Sequence, residues 1–367
     1  MPAAKKQINI QKHDAAMRTD QPQTPGLTWY SPRKTPFQVA GLAWFAEEGL
    51  YRRMPSKPAR PLPQSVDSLA NCTAGAQVRF RSDSKRVYVR VRLRGPHGMD
   101  HMPATGQCGF DSYTGPVGAM RYGATARFKL TSESYESSVF SAPENQMRQF
   151  TLNFPLYQGV NELEIGLDEG AKTLAPAAWE SNGRVIVYGT SITQGGCAAR
   201  PGMAFTNILS RRINREFINL GFSGSGKGEP EVAETIAQIE RPALYVLDYE
   251  ANCVSTEKLR ETMPEFIRIL RAAHPKTPIL VVTKIRYARE TYDEAALAGR
   301  LERFAFQKSL VAKLRRSGDR KVFFQDGSGF LGKDFDECAV DGVHPTDLGF
   351  LRIADGMEPA VRRALKG

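Results

Sequence analysis

A chain of 367 residues is longer than one hydrophobic core usually supports, so its length predicts two domains. The composition, 41% hydrophobic and 24% charged, is typical of a soluble globular protein, and because no apolar run approaches the roughly 20 residues that cross a bilayer, we expect no membrane-spanning segment. The net charge of +11 is concentrated at the N-terminus, where the first 60 residues hold ten Lys and Arg against four Asp and Glu, so the excess does not indicate a nucleic-acid partner.

The N-terminal segment is rich in Pro, Lys and Gln, and residues 1–30 are predicted to form a loosely ordered basic leader. Because this segment lacks the apolar core of a signal peptide, we expect a cytoplasmic protein, and a secreted one would need a leader that has been removed. The five cysteines are odd in number and lack a CxxC pair, which indicates free thiols.

Residues 31–172 are predicted to form an antiparallel β-sandwich of the jelly-roll-like kind. In the stretch RVYVRVRLR, Val87, Val89, Val91 and Leu93 alternate with polar residues, and the stretches RQFTLNF and NELEIGL repeat this alternation. A period of two, bounded by Gly, Pro and Asn, is typical of half-buried antiparallel strands, and several such strands in succession favour a sandwich.

One loop of this region, GPHGMDHMPATGQCGFDSYTG, contains an unusual density of side chains that could bind a metal or a substrate. His97, Asp100 and His101 lie close together in sequence. Metal sites usually need a third or fourth ligand with suitable geometry, and the sequence offers no evident partner cluster. We therefore predict no metal site here and interpret the loop as structural or substrate-facing.

The chain changes its pattern after a linker at residues 168–183, and residues 173–367 alternate short apolar runs with helical patterns. This alternation predicts an α/β domain with a parallel sheet that is covered by helices on both faces. Ligands of such sheets bind at the carboxyl ends of the strands. Ser191, Gly224 and Asn252 each follow a predicted strand, so we expect them to converge at that edge.

Ser191 stands where a predicted strand turns towards a helix. This position presents a hydroxyl beside converging backbone N–H groups, which is the geometry of an acyl-transfer nucleophile, although an ordinary strand-to-helix loop has the same local pattern. Near the C-terminus, the stretch DGVHP places Asp341 three residues before His344. The carboxylate could then orient the imidazole, and the imidazole could serve as the general base for Ser191.

These blocks, taken in chain order, resemble those of a known enzyme family. Ser191 in GTSIT, Gly224 in NLGFSGSG, Asn252 in EAN, and Asp341 and His344 in DGVHP resemble the SGNH hydrolase superfamily, also called the GDSL esterases and lipases. In the N-terminal half, GFDSY resembles the Gly-x-Asp-Leu-Tyr motif of the β-sandwich that precedes one SGNH subgroup. The resemblance implies a flavodoxin-like catalytic domain.

The resemblance also implies roles for individual residues. Ser191 would be the nucleophile, His344 the base and Asp341 its orienting carboxylate. The backbone N–H groups of Ser191 and Gly224 and the side-chain amide of Asn252 would form the oxyanion hole. The loop of the β-sandwich would wall the substrate pocket, and its candidate pocket residues are His101, Asp111 and Tyr113.

The chain departs from the family pattern at two positions near the site. Thr190 replaces the aspartate that precedes the serine in the family, which leaves the local hydrogen bonding around Ser191 open. Cys253 replaces an aspartate that many relatives carry after the asparagine. In addition, Ser223 and Ser225 flank Gly224, so the choice of the oxyanion glycine is open by a residue or two.

The expected activity is that of a serine esterase that removes a small acyl group, in the first place acetyl, from a carbohydrate or similar polar alcohol through an acyl-enzyme intermediate. A lysophospholipase or broad carboxylesterase is the alternative within enzymes, and a catalytically inactive glycan-binding protein is the alternative of another class. No metal or organic cofactor is expected. The expected partner is a small-molecule or glycan ester, with no nucleic acid or membrane, and the sequence is compatible with a homo-oligomer.

Overall fold

The structure, a computed structural model, describes residues 10–12, 14, 17–19 and 25–367. Its N-terminal half is built from short helices and ten strands. In chain order the elements are β1 (Leu27–Tyr30), β2 (Gln38–Ala40), α1 (Phe45–Glu48), α2 (Gln64–Leu69), β3 (Gln77–Ser82), β4 (Arg86–Leu93), α3 (Ala104–Gln107), β5 (Asp111–Thr114), β6 (Arg121–Thr125), β7 (Ser134–Ser141), β8 (Arg148–Asn153), β9 (Val160–Asp168) and β10 (Thr173–Leu174). A 3₁₀ helix at Ile10–Lys12 precedes them.

These strands form two antiparallel sheets, one with the order β1-β9-β4-β7 and one with the order β10-β3-β8-β5-β6, in which β2 also pairs with β3. Strand β4 shows why they face each other. Val87, Val89, Val91 and Leu93 are all buried in one core, whereas the intervening residues are half-buried or exposed. The predicted antiparallel sandwich is confirmed, because burying these alternate side chains requires a second apolar sheet opposite.

The predicted basic leader at residues 1–30 is wrong at its C-terminal end. Leu27–Tyr30 forms β1, which pairs antiparallel with β9 along its whole length. The indole of Trp29 lies under the guanidinium of Arg90, 3.8 Å from ring centroid to Cζ, and its ring atoms leave no room for a Cβ at Gly166. Most of the leader, residues 1–9, 13, 15, 16 and 20–24, lies outside the described residues.

The C-terminal half is a doubly wound α/β layer. Its elements are β11 (Arg184–Gly189), α4 (Ser191–Gln194), α5 (Phe205–Ile213), β12 (Phe217–Gly221), α6 (Pro230–Ile236), β13 (Pro242–Asp248), α7 (Thr256–Ala273), β14 (Ile279–Val282), α8 (Glu294–Arg316), β15 (Val322–Gln325) and α9 (Asp347–Lys366). The five strands are parallel and lie in the order β12-β11-β13-β14-β15. This is the flavodoxin-like order, so the predicted fold class is confirmed.

Two apolar cores cover the two faces of this sheet. One core joins Val185 and Val187 of β11 to α5 and α9, and the other joins Ile186 and Tyr188 to α6 and α7. Alternate residues of β11 thus point to opposite faces and are all buried, which is the pattern of a central parallel strand. Strand β11 ends at the carboxyl edge of the sheet, at Gly189.

Across the described residues, no helix is both long enough and apolar enough to cross a membrane.

Candidate active site

Ser191 is the first residue of α4, directly after the central strand β11. Thr190 has an extended backbone and caps the helix, since its hydroxyl accepts a 3.3 Å hydrogen bond from Ile192 N. A short polar residue at this position satisfies one of the helix's free N–H groups. Thr190, which stands where the family has an aspartate, therefore provides the hydrogen bonding next to Ser191. A Cβ at Gly189 would clash with Thr193 Oγ1, so the strand-to-helix turn requires glycine there.

Ser191, His344 and Asp341 form a continuous chain of hydrogen bonds. Ser191 Oγ lies 2.9 Å from His344 Nε2, and His344 Nδ1 lies 2.6 Å from Asp341 Oδ2. The structure thus brings together three residues that lie up to 153 positions apart in the sequence. This is the relative arrangement of a nucleophile, a base and the carboxylate that orients the base.

The loop that contains Asp341 and His344 is held in a closed turn. Val340 N donates to the carbonyl oxygen of His344 (2.8 Å), and Ala339 and Pro345 form an isolated β-bridge. Asp341 Oδ1 accepts the backbone N–H groups of Val343 (3.0 Å) and His344 (2.7 Å). Partial burial raises the pKa of Asp341, but these N–H groups and the His344 ring together hold it below its usual value. The carboxylate is therefore ionised at neutral pH.

The backbone N–H groups of Ser191 and Gly224 have no hydrogen-bond partner among the described residues. The neighbours of Gly224 are engaged, because Ser223 N donates to Gln194 Oε1 (3.1 Å) and Ser225 N donates to Phe222 O (3.0 Å). Gly224 has a φ of 64°, in the left-handed region that favours glycine. Of the three candidate residues, Gly224 is therefore the one whose N–H is available.

Asn252 lies in a 3₁₀ turn, Glu250–Asn252, just beyond β13. Its side-chain Nδ2 donates a 3.1 Å hydrogen bond to the carbonyl oxygen of Phe222, in the turn that leads to Gly224. An amide nitrogen carries two hydrogens, so the second one is left for a ligand. The residues Ser191, Gly224 and Asn252 thus lie at the carboxyl ends of three adjacent strands, β11, β12 and β13.

The β-sandwich contributes to the site through a residue that sequence reasoning missed. The phenol of Tyr157, in the turn between β8 and β9, donates a 3.2 Å hydrogen bond to the carbonyl oxygen of Ser191. Beside it, Gln194 Nε2 donates to Leu156 O (3.1 Å). The turn around Tyr157 carries no sequence motif. Only the presence of an aromatic residue at a strand end could have indicated a role for it. The contact depends on how the two halves pack together.

The loop that begins at His97 reaches the site through His101. The rings of His101 and His344 lie 5.7 Å apart, centroid to centroid, at an interplanar angle of 64°. His101 Nδ1 lies 3.1 Å from Asp100 Oδ1, whereas His97 Nε2 lies 3.4 Å from the carbonyl oxygen of Met102. His101 therefore lies next to His344, and His97 is engaged within its own loop.

The prediction that Asp111 and Tyr113 face the substrate is wrong. The Asp111 carboxylate is completely buried and accepts hydrogen bonds from Arg200 Nη1 (2.8 Å), Gly202 N (2.8 Å) and Asn153 Nδ2 (2.8 Å). Tyr113 is also buried, and its hydroxyl lies 2.6 Å from Arg200 Nη1. These residues join the sandwich to the turn after α4, because a buried carboxylate must be paired and the Arg200 guanidinium from the other half pairs it.

A second carboxylate, Asp248 at the end of β13, lies beneath α4 and accepts a 3.0 Å hydrogen bond from Thr193 Oγ1. Burial is the largest influence on this group and raises its pKa to about 7, with the nearby Glu250 acting in the same direction. Among the influences on this pKa, only the hydrogen bond from Thr193 favours the charged form.

Comparisons with known proteins cover nearly the whole chain. Residues 182–362 match the GDSL-like Lipase/Acylhydrolase family, and residues 27–173 match the N-terminus of the SGNH-hydrolase-type esterases, described by the motif GxDLY. No curated protein matches the chain significantly.

Several solved structures share the fold. A protein from Bacteroides ovatus ATCC 8483 that is named as a GDSL-like lipase is 28% identical, with a TM-score of 0.84 over 93% of this chain and 98% of that one. A salicylyl-acyltransferase from a tetracycline biosynthetic pathway is 20% identical, with a TM-score of 0.74 over 93% and 99%. A family two carbohydrate esterase from Cellvibrio japonicus is 13% identical, with a TM-score of 0.57 over 93% and 98%.

Proposed function

Because the chain belongs to the GDSL-like lipase/acylhydrolase family and is a serine esterase, we propose that it removes a small acyl group, in the first place acetyl, from a hydroxyl of a carbohydrate or similar polar alcohol. The observation that carries the proposal is the hydrogen-bond chain from Ser191 through His344 to Asp341, next to the unpaired N–H groups of Ser191 and Gly224.

In the proposed mechanism, Ser191 Oγ attacks the carbonyl carbon of the ester while His344 Nε2 takes the hydroxyl proton. Asp341 holds the ring in the tautomer that leaves Nε2 free and stabilises the imidazolium that forms. His344 then returns the proton to the leaving alcohol as the C–O bond breaks, which leaves the acyl group on Ser191. A water molecule, deprotonated by His344, releases the acid and restores the serine.

The negative charge of the tetrahedral intermediate would be stabilised by three donors: the N–H groups of Ser191 and Gly224 and the amide of Asn252. Such donors act strongly because they are already oriented before the charge develops. Two features orient them here. Ser191 N belongs to the first turn of α4, where helix N–H groups are free, and Asn252 is fixed by its bond to Phe222.

The preference for a small acyl group is supported by the tight packing beneath α4. A cavity lined by Thr190, Ile192 and core residues such as Val282 has a volume of only about 10 Å³, which is room for about one water molecule. This cavity is too small to take a long acyl chain into the core. A polar alcohol is favoured by the other side of the site, where His101 and Asp100 are polar and at least partly accessible. Because a carbohydrate esterase shares the fold, acetylated sugars are the first alcohols to test.

A broad carboxylesterase or lysophospholipase is the second candidate, and exposed apolar side chains near the site favour it. Val254, two residues after Asn252, is 84% exposed, and Val340, next to Asp341, is 46% exposed. Tyr292, which is 80% exposed, directly follows the 3₁₀ turn Ala288–Thr291. This turn is joined to the loop of Asp341, because Ala288 N donates to Gly342 O. An apolar rim of this kind could hold a longer acyl chain at the surface.

A chain-length series separates the two candidates. Rates on p-nitrophenyl acetate, butyrate and octanoate are compared first, and acetylated and butyrylated methyl glycosides follow. The proposal predicts the highest kcat/KM for acetate and release of acetate from the sugar. A maximum at octanoate, with Val254→Ser reducing the octanoate rate and leaving the acetate rate, would support the second candidate instead.

A further inference from the structure

Three side chains from both halves of the chain converge on the open side of His344. One ligand atom each from His101, Cys197 and His344 all lie within 4.8 Å of one another. We propose that these residues bind a thiophilic divalent cation, with Zn²⁺ as the best match, and that the bound ion reversibly inhibits the esterase. The loop containing His101 had no partner ligands in the sequence, and the fold supplies two.

The two histidines are prepared for metal binding in the same way. His344 Nδ1 lies 2.6 Å from Asp341 Oδ2, and His101 Nδ1 lies 3.1 Å from Asp100 Oδ1. Metal-binding histidines characteristically donate one ring N–H to a carboxylate, which fixes the tautomer and makes the other nitrogen a better ligand. In both residues, therefore, Nε2 is the nitrogen left to bind a cation.

Cys197 supplies the sulfur from a rigid position. The residue is 3% exposed, and its φ of 74° lies in the left-handed region, in a turn that Ala198 N closes by donating to Gly195 O (3.1 Å). Two imidazoles and one thiolate form a donor set that suits Zn²⁺, and a water molecule or Ser191 Oγ could take the fourth position. When the ion binds, the sulfur gives up its proton to solvent and the S–Zn bond forms.

The observed spacing needs only a small adjustment. Bond lengths of about 2.0 to 2.3 Å put the ligand atoms of a tetrahedral zinc site about 3.3 to 3.8 Å apart, so the three atoms must close by about 1 Å. His101 can make this movement because its side chain is 35% exposed and lies on a surface loop. The His344 side chain is 23% exposed, which leaves a path for the ion from solvent.

Inhibition follows from the nitrogen that the ion would occupy. His344 Nε2 is the atom that lies 2.9 Å from Ser191 Oγ. A lone pair that is bound to a cation cannot accept the serine proton, so the base of the proposed mechanism is removed while the ion is bound. The two functions of His344 are therefore mutually exclusive, and a chelator should restore activity.

The binding test uses Co²⁺ as a spectroscopic substitute for Zn²⁺, in the Ser191→Ala background so that the result does not depend on catalysis. We expect one Co²⁺ per chain, with a thiolate-to-cobalt charge-transfer band that Zn²⁺ abolishes. The band should disappear in Cys197→Ser, and it should persist in the matched control Cys108→Ser, whose cysteine is buried in the sandwich core. His101→Ala, on the surface loop, should weaken Co²⁺ binding at least about tenfold and gives a second variant if Cys197→Ser does not fold.

The activity test uses Zn²⁺ on the wild-type enzyme. At ten times the dissociation constant, hydrolysis should fall to about one eleventh, and EDTA should restore it. Cys197→Ser should need at least about ten times more Zn²⁺ for the same inhibition. The proposal is overturned if no thiolate band forms, if the band survives in Cys197→Ser, or if Zn²⁺ inhibits Cys197→Ser as strongly as wild type. The cobalt result stands even if the chain hydrolyses none of the esters tested, so failure of the metal site and failure of the esterase proposal are distinguishable.

Discussion

The side-chain amide of Asn252 and the carbonyl oxygen of Phe222 are joined by a 3.1 Å hydrogen bond that links two strand ends. The same carbonyl accepts the N–H groups of Ser225 and Gly226, both at 3.0 Å. One oxygen thus holds both the turn around Gly224 and the side chain of Asn252. Two of the three proposed oxyanion donors are therefore fixed relative to each other before a substrate binds, which is the condition for strong electrostatic stabilisation.

Replacing Asn252 should therefore affect turnover far more than substrate binding. For Asn252→Ala we expect kcat to fall by about 10²–10³-fold, the usual cost of losing one oxyanion donor, while KM changes little. Steady-state kinetics on p-nitrophenyl acetate measure both constants. Asn161→Ala, an exposed asparagine on β9, is the control. Turnover like that of wild type in Asn252→Ala would remove this residue from the site.

The carboxylate of Asp341 should be needed for the tautomer of His344. In Asp341→Asn the amide can present an N–H to Nδ1, which leaves the proton on Nε2, and we expect kcat to fall by up to about 10⁴-fold. Asp336→Asn, which replaces an exposed aspartate in the 3₁₀ turn Phe335–Cys338, is the matched control. A loss of less than about tenfold would show that Asp341 does not orient the base.

The lowered pKa of Asp341 also sets the sign of a pH effect. A carboxyl whose folded-state pKa is depressed contributes stability above its unfolded pKa of about 3.9 and loses that contribution as the pH falls through the folded value. The stability that Asp341 contributes should therefore be lost as the pH falls below about 4. In denaturant unfolding, the advantage of wild type over Asp341→Asn should shrink as the pH is lowered from about 5 towards 3, and an advantage that stays constant over that range would contradict the lowered pKa.

The buried pair of Asp111 and Arg200 should stabilise the joint between the two halves without taking part in catalysis. Asp111→Ala leaves the guanidinium without its carboxylate and should lower the free energy of unfolding by about 3–5 kcal/mol. Asp355→Ala, which breaks an exposed pair with Arg212, should cost at most about 1 kcal/mol. Denaturant unfolding measures both. Well below the unfolding temperature, kcat of Asp111→Ala should stay near that of wild type. A large decrease in kcat of the folded variant would show that Asp111 belongs to the substrate site after all.

The raised pKa of Asp248 predicts a pH-dependent loss of stability. Between about pH 4 and 7 the folded protein keeps a proton that the unfolded chain releases, so the free energy of unfolding falls as the pH rises and the full penalty applies above about pH 7. Asp248→Asn removes this titration. We subtract the free energy of unfolding of wild type from that of Asp248→Asn at each pH. This difference should be about 3 kcal/mol larger at pH 8.5 than at pH 5, because one pKa unit corresponds to about 1.36 kcal/mol. The exposed control Asp336→Asn should show no such trend.

Much of the fold could be predicted from the sequence because its signals are local. The alternation of Val87, Val89 and Val91 follows from the period of a strand, and the position of Ser191 follows from the end of an apolar run before a helix. The order of the separated blocks identified the family. Strand β1 was missed because it is short and its partner β9 lies far along the chain.

The contacts between the two halves could not be predicted, because no local pattern encodes them. Tyr157 reaches Ser191 and Asp111 reaches Arg200 only once the sandwich packs on the α/β layer. For the same reason, Asp111 in the motif GFDSY was interpreted as a pocket residue although it is a buried structural carboxylate. The meeting of His101 with Cys197 also depends on this packing.

The central claim, that Ser191 is the nucleophile activated by His344, is tested most directly by covalent trapping. Wild type, Ser191→Ala and the control Ser225→Ala are treated with a fluorophosphonate, the modified peptide is located by mass spectrometry, and hydrolysis of p-nitrophenyl acetate is measured in parallel. The account predicts a single adduct on Ser191 in wild type and in Ser225→Ala, with neither adduct nor hydrolysis in Ser191→Ala. An adduct on another serine, or hydrolysis that persists in folded Ser191→Ala, would contradict it.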